Sequence, residues 1–567
     1  MTNTLPKRLF SAPTRRQFMA GTAAFGAVTM LPIVAWADNG RLNVRAYLEP
    51  DDYDPLDASG FLEELLYGCI YRKLIQYQPG DEWDWQLDLA EEIEQTSPTT
   101  IEFRLKEGQM WSDGYGEITA EDVKFSLDRH MVEENNSRIK PDLGPFTHVE
   151  VTGTYSGIIH LERPFAPIWT IALPYLAGTI ICKEAVEEAG GRITTAVPPA
   201  VSGPYRVVEH RLGERWVLER NPDFSGEAAD FERVDLVVIV DEAAAEIAKE
   251  AGDVDFTSIG PASVARLQDN VPDGMRLSVH PALFYHWIGL NVQNPKFEDE
   301  RVRMAIMHAI DVPSIIQAAF FDVADPATGI IAPGLIGHRP ETIIPPEADY
   351  ERARELLDEA GIDRLEVNVD VLNTVIHTTA AQVMQATMAQ AGIDLNISVH
   401  ESGSFWSLGV AADGDRWQDL ELTIKRFSMT PDPYYATAWF VTDQIGDWNW
   451  EQFSNEEFDE LHEEALSETD PERRDEMYRR MQDLMEESGG YRFITHGVTA
   501  NLYADNIEPA TRPDGLPLVQ FFRRACATAP APDPAPGPAP DPCSVTPSSA
   551  SSSRSRSSSS RSRRSIR

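Results

Sequence analysis

The sequence predicts a mixed α/β protein of two or three domains. Three observations carry that reading. The chain has 567 residues, more than one compact core accommodates. Period-two apolar alternation and 3.6-residue apolar stripes succeed one another along the chain rather than segregating. Residues 365–399 read as strand, helix and strand in succession, a β-α-β unit.

Taken in order, Leu42–Leu48 reads as a short strand, followed by a turn through Pro50–Asp57. Phe61–Leu74 then reads as a helix with Leu62, Leu65, Leu66, Cys69 and Ile70 on one face. Ile101, Phe103 and Leu105 alternate with Glu102, Arg104 and Lys106, the pattern of a half-buried strand. Thr119-Ala120-Glu121-Asp122 is a capping-box sequence that opens a helix carrying Val123, Phe125 and Leu127. Asp235–Val240 reads as a buried strand. Val302, Ala305, Ile306, Ala309 and Ile310 form an amphipathic stripe, and Ala353, Leu356, Leu357 and Ala360 form another that Gly361 stops. The β-α-β unit comprises a strand Leu365–Leu372, a helix around Ala381–Ala391 and a strand Ile393–Val399. Ser454-Asn455-Glu456-Glu457 opens a helix with Phe458, Leu461 and Ala465 inward. Asp470-Pro471 starts the next, with Asp as its cap and Pro at the first helical position. No internal repeat is evident.

Both ends differ from this body. Lys7, Arg8, Arg15 and Arg16 precede an uncharged run that closes on Ala35-Trp36-Ala37. A basic region, an apolar region and an A-x-A site read as an export signal over residues 1–37, cleaved after Ala37. Thr14-Arg15-Arg16-Gln17-Phe18-Met19 resembles the twin-arginine type, and the expected location is the periplasm. Residues 525–567 form an Ala/Pro stretch and then a Ser/Arg tract, without apolar periodicity and with too little apolar surface to form a core; no function is assigned to them. The chain carries a net −42, and because each end is basic by four charges, the body between them carries −50. That charge disfavours nucleic acid and anionic membrane surfaces as partners. Of the four cysteines, Cys69 and Cys182 lie in the body. They suit a disulfide in an oxidising compartment, yet Cys69 sits on an apolar helical stripe, where a free thiol acts as a small hydrophobe.

Catalytic signatures are wanting. His462-Glu463-Glu464-Ala465 opens like a zinc-protease helix, but Leu466 stands where the second ligand belongs. There is no G-x-S-x-G elbow, no phosphate-binding glycine loop and no cysteine pair at metal spacing. Among the scattered histidines, His286 and His496 are the ones to watch for ligand contact. No enzymatic activity, cofactor or metal is therefore expected. A secreted α/β hydrolase is the alternative from another class.

Trp111-Ser112-Asp113-Gly114 followed by Ile118-Thr119-Ala120-Glu121-Asp122-Val123-Lys124-Phe125-Ser126 closely resembles a signature of the family 5 extracellular solute-binding proteins, the dipeptide-, oligopeptide- and nickel-type binders of ABC importers. Four further blocks stand in family order: Asp54-Pro55-Leu56-Asp57 with Tyr71-Arg72-Lys73-Leu74; Ser202-Gly203-Pro204-Tyr205 with Arg220-Asn221-Pro222-Asp223-Phe224; Leu290-Asn291 through Ala305; and Asp432-Pro433 with Phe453-Ser454-Asn455 and Phe458-Asp459. The resemblance spans residues 42–524. Most of these residues read as scaffold, with Gly114 and Gly203 suited to tight turns.

The resemblance implies a two-lobed periplasmic binding protein-like fold (type II, cluster C), with an extra subdomain in the first lobe. Lobe I would comprise residues 38–283 and 497–524, with the subdomain at about 79–197, and lobe II residues 284–496. The implied protein is a monomer that captures a small ligand between its lobes and presents it to an inner-membrane permease. A ligand-sensing protein on the same fold is also compatible with the sequence.

One departure bears on the ligand. Peptide binders of the family carry an acidic residue three positions before the acidic-Pro pair, where it holds the peptide ammonium, and a tryptophan three positions before that. Here those positions hold Met429 and Arg426. An ammonium buried without a carboxylate is unfavourable, whereas an arginine facing the cleft offers a fork to a carboxylate. Strand alternation leaves open whether Arg426 faces cleft or solvent. The expected ligand is peptide-like or another small organic compound with an anionic group. The candidate ligand residues are Arg426, Phe427, Ser428, Met429, Asp432, Tyr434, Trp406 and Tyr175, with Tyr435 as a further aromatic wall.

Overall fold

The computed structural model describes residues 40–525, except Pro50, Asp51 and Ser59. The export signal and the tail beyond Ala525 lie outside the described residues. No helix among those described is long and apolar enough to cross a membrane.

Three sheets organise the chain. The first-lobe sheet has seven strands in the order Met275–Pro281, Val498–Ala504, Phe256–Ile259, Arg41–Ala46, Arg233–Val238, Arg215–Arg220, Tyr205–Arg211. Arg41–Ala46 runs parallel to both its neighbours, and the other pairs are antiparallel. A four-stranded antiparallel sheet, built from residues 90–161, shares a continuous apolar core with it. The second-lobe sheet has five strands in the order Ile393–His400, Leu365–Leu372, Leu422–Ser428, Phe284–Leu290, Tyr491–Thr495, and it has its own cores. The parallel pair Leu365–Leu372 and Ile393–His400 is joined across the helix Val375–Met388, as the β-α-β pattern anticipates.

Local sequence accounts for most element boundaries. The Thr119 side chain and the Asp122 carboxylate form the reciprocal capping box of the helix Ala120–Asp128. Asn455 caps Glu456–Ser467, and Asp470 caps Pro471–Glu487. The apolar stripes at 302–310 and 353–357 are buried. The first helix departs from expectation, ending at Ile70 instead of Leu74. Tyr71–Leu74 is extended because its backbone is claimed elsewhere: Arg72 pairs with Ile180, and the Ser202 and Gly203 N–H groups donate to Ile70 O. Gly203 also has a different purpose from the turn predicted for it. A Cβ there would lie 2.5 Å from Cys69 O, so its requirement is close backbone approach. Gly114, at φ +85°, does serve a turn. Cys69 and Cys182 are both free and buried.

The Asp54 block is scaffold of a specific kind. The buried Asp54 carboxylate accepts from Arg129 at 2.8 and 2.9 Å, from Leu56 N at 3.0 Å and from Ile193 N at 2.9 Å. Four donors satisfy a carboxylate that would otherwise be costly to bury.

Candidate ligand-binding site

The chain passes between the two large sheets twice, and the passages adjoin. Residues 282 and 283 link Met275–Pro281 to Phe284–Leu290, and residues 496 and 497 link Tyr491–Thr495 to Val498–Ala504. Ala282 N donates to Gly497 O at 3.4 Å, Met429 N donates to Leu283 O at 2.9 Å, and His496 Nδ1 lies 2.8 Å from Phe284 O. The ends of Phe284–Leu290, Leu422–Ser428 and Tyr491–Thr495 adjoin these passages.

Alternation along Leu422–Ser428 puts neighbouring residues on opposite faces. Arg426 stands opposite His286 in the register, and Lys425 opposite Trp287. Arg426 is exposed, and among the described residues it makes no hydrogen bond and no ion pair. Its guanidinium carbon lies 4.5 Å from the Phe284 ring centroid, a cation–π contact. Its surroundings lower its pKa by desolvation, opposed by the first-lobe residue Tyr47. The Phe284 ring under it follows directly on the passage at 282–283.

The other face carries a floor of rings. Phe427 is 6.0 Å from Trp406 and stacked on it, 6.0 Å edge-on from Trp439 and 5.8 Å from Trp448, while Tyr435 meets Trp439 at 5.2 Å. Trp448 is exposed and the others are half-buried. Behind this floor Lys425 is fully buried, 2.9 Å from Glu451 and between the rings of Trp287 and Trp450. Burial lowers the Lys425 pKa and Glu451 opposes the shift. Trp439 and Trp448 were missed from the sequence, although Trp448-Asn449-Trp450 within an aromatic-rich stretch was a usable signal.

Asp432 requires correction as a ligand residue. It is wholly buried and engaged within the protein, accepting from Arg474 at 3.0 and 2.7 Å, from Thr170 Oγ1 at 2.7 Å and from Tyr434 N at 3.0 Å. Met429 is corrected likewise: it is buried in the second-lobe core. Ser428 is exposed at the sheet end. Tyr434 stacks on His462 at 5.2 Å and meets Phe165 edge-on at 6.5 Å, bringing the second lobe against the chain that follows the four-stranded sheet. Ser467 Oγ reaches Pro164 O there at 3.3 Å. Tyr175 precedes the turn Leu176–Gly178. It is held in the first lobe beside Glu64 and beneath Arg512, 5.5 Å from its ring. His286 and His496 are packed as buried rings, not displayed; desolvation keeps His496 at about 4 and His286 well below its usual range. A separate concavity of about 150 Å³ lies within the first lobe between Gly68, Phe224 and Arg523, and shares no residue with this junction.

Residues 84–448 match the model for bacterial extracellular solute-binding proteins, family 5, middle region. The glutathione-binding protein GsiB of Shigella flexneri is 24% identical over 447 residues, covering 76% of this chain and 84% of that protein. HbpA2 of Haemophilus parasuis superposes with a TM-score of 0.75 at 20% identity, over 86% of this chain and 100% of that one. The ABC transporter substrate-binding protein CtaP of Listeria monocytogenes superposes at 0.74 and 20% identity, over 85% and 99%. These likenesses establish the two-lobed architecture.

Proposed function

The chain belongs to family 5 of the bacterial extracellular solute-binding proteins, and on that premise we propose that it is the solute-capturing component of an ABC import system. It closes two lobes on a small, peptide-like ligand with an anionic group and delivers it to a membrane permease. The observation that carries this reading is Arg426: a guanidinium that lies over the Phe284 ring at the lobe junction and makes no hydrogen bond or ion pair among the described residues, in a strongly acidic chain. A ligand carboxylate would supply the missing acceptor through a bidentate pair. The relative named for binding glutathione supports a peptide-like solute.

The proposed lobes are residues 38–283 with 497–524, including a subdomain at about 79–197, and residues 284–496. The adjoining passages at 282–283 and 496–497 are the proposed hinge, because two short parallel links let rigid lobes rotate without unravelling either sheet. Closure is driven by the ligand's greater affinity for the closed form. The protein acts as a monomer and binder, not an enzyme, in the periplasm after twin-arginine export and removal of residues 1–37.

The test is native mass spectrometry of protein taken from its own periplasm, followed by small-angle scattering with and without the solute identified. A lower radius of gyration with ligand is expected, and Arg426→Ala should abolish it at the same ligand concentration. Tight binding with an unchanged scattering curve would overturn the clamp.

A further inference from the structure

One face of the first-lobe sheet carries chemistry that the lobe junction does not use. Cross-strand partners share a face, and the register sets Arg41 beside Arg233, Arg233 beside Glu219, and Glu219 beside Arg206. Asp235 and Arg215 fall on the same face by alternation along their strands. The opposite face, with Leu42, Val234, Leu236 and Leu218, packs into the first-lobe core.

Three of these arginines converge on Asp235, whose side chain is wholly buried. Arg41 Nη2 donates to it at 2.6 Å, Arg233 donates through Nε at 2.6 Å and Nη2 at 3.2 Å, and Arg215 Nη1 stands 3.5 Å away. A carboxylate has about four acceptor sites, whereas each guanidinium carries about five N–H donors. Most donors are therefore left over, and among the described residues the side chains of Arg41, Arg215 and Arg233 make no further hydrogen bond. Arg206 makes none at all, and Nε of Arg206 and Nε of Arg215 are buried without an acceptor. Arg45, later on the strand of Arg41, shows the satisfied condition: its guanidinium donates to Ile239 O, Ser258 O and Val240 O at 2.8 to 3.1 Å.

The charges point the same way. On this face four arginines meet two carboxylates, Asp235 and Glu219, a surplus of two positive charges in a chain of net −42. Nearby acids do not cancel it: Glu232 stands 3.9 Å from Arg220, and Glu209 is paired with Arg211. An open concavity of about 550 Å³ adjoins, lined by Arg41, Arg233, Arg220, Glu219 and Glu232. Arg41, Arg215 and Arg233 are each more than a third exposed, so their spare donors are within reach of solutes. A tetrahedral oxyanion presents acceptors in several directions at once, and the guanidinium fork matches its geometry.

We propose that Arg41, Arg206, Arg215 and Arg233 form an oxyanion site for phosphate or a phosphate monoester. The site shares no residue with the lobe junction, so it stands or falls apart from the clamp.

Inorganic phosphate is the probe, titrated calorimetrically into the mature chain at constant ionic strength, with chloride as the reference. Vesicles of phosphatidylcholine with and without phosphatidic acid test whether the phosphate belongs to a lipid headgroup. Phosphate should bind where chloride does not. Arg206→Gln and Arg41→Gln should each weaken it about tenfold, the usual effect of losing one charged hydrogen-bond donor, and Glu219→Gln should strengthen it. Arg206 has no partner in the fold to lose, and Asp235 keeps Arg233 and Arg215 in Arg41→Gln, so both variants should retain the wild-type circular dichroism spectrum. Co-sedimentation with phosphatidic acid vesicles that is lost in Arg206→Gln assigns the site to a headgroup; phosphate binding without co-sedimentation assigns it to a soluble phosphate. No phosphate binding beyond that of chloride, or equal affinity in wild type and both arginine variants, overturns the site.

Discussion

Replacing Arg474 by methionine tests how the loop at the lobe junction is held. Arg474 and Asp432 are 5% and 0% exposed in their side chains and share two charge-assisted bonds of 3.0 and 2.7 Å. Arg474→Met strips the carboxylate of its countercharge while Thr170 Oγ1 and Tyr434 N remain as neutral donors. Breaking a buried pair from one side destabilises by about 3–5 kcal/mol, and the two surviving donors put the expectation at the lower end. Asp432→Asn should be milder, about 1.5–3 kcal/mol. It can keep the acceptor for Tyr434 N, and Arg474 retains Ala465 O at 2.9 Å and Tyr478 Oη at 3.2 Å. The double variant should recover part of the loss, with a coupling of about 1–3 kcal/mol. Urea unfolding followed by circular dichroism and tryptophan fluorescence measures all three. An Arg474→Met protein within about 1 kcal/mol of wild type would refute the reasoning.

Gly289→Ala should unfold the second lobe at markedly lower urea concentration, because its Cβ would fall 1.7 Å from Glu451 Oε1 and displace the buried partner of Lys425; a wild-type midpoint would contradict this. Burial holds His377, His462 and His496 at about 4. The unfolded chain takes up their protons first, so their contribution is complete above about pH 6.5 and falls toward about pH 4, by about 1.4 kcal/mol per pH unit for each ring. Asp142, raised to about 6, acts oppositely: its contribution is present below the ordinary carboxylate range and lost as pH rises through about 6. Asp142→Asn should therefore stabilise the protein at neutral pH, and the urea midpoint of that variant should drop between about pH 7 and about pH 5; a flat profile would count against the buried histidines. Burial pushes the Cys69 and Cys182 thiols up to about 12 and about 11, so native alkylation should leave both peptides unmodified and a non-reducing peptide map should show no bridge between them.

The alternation at 101–105, the capping box at Thr119, the β-α-β unit at 365–400 and the Asp470-Pro471 start were legible in the sequence. Each is set by neighbours a few residues apart, through backbone geometry and side-chain caps that act locally. The block order carried the family for a related reason: those blocks are turns, caps and buried anchors such as Asp54, whose chemistry shows in the residues themselves. The site was legible only in part. Arg426 and the rings of Trp406 and Phe427 stood out as chemistry without an orientation. Asp432 was misread because Arg474, 42 residues on, neutralises it, and nothing near Asp432 in the chain announces that partner. Asp142 drew no notice among 91 acidic residues. Its raised pKa comes from burial that only the folded packing produces, and nothing in its sequence neighbourhood signals it.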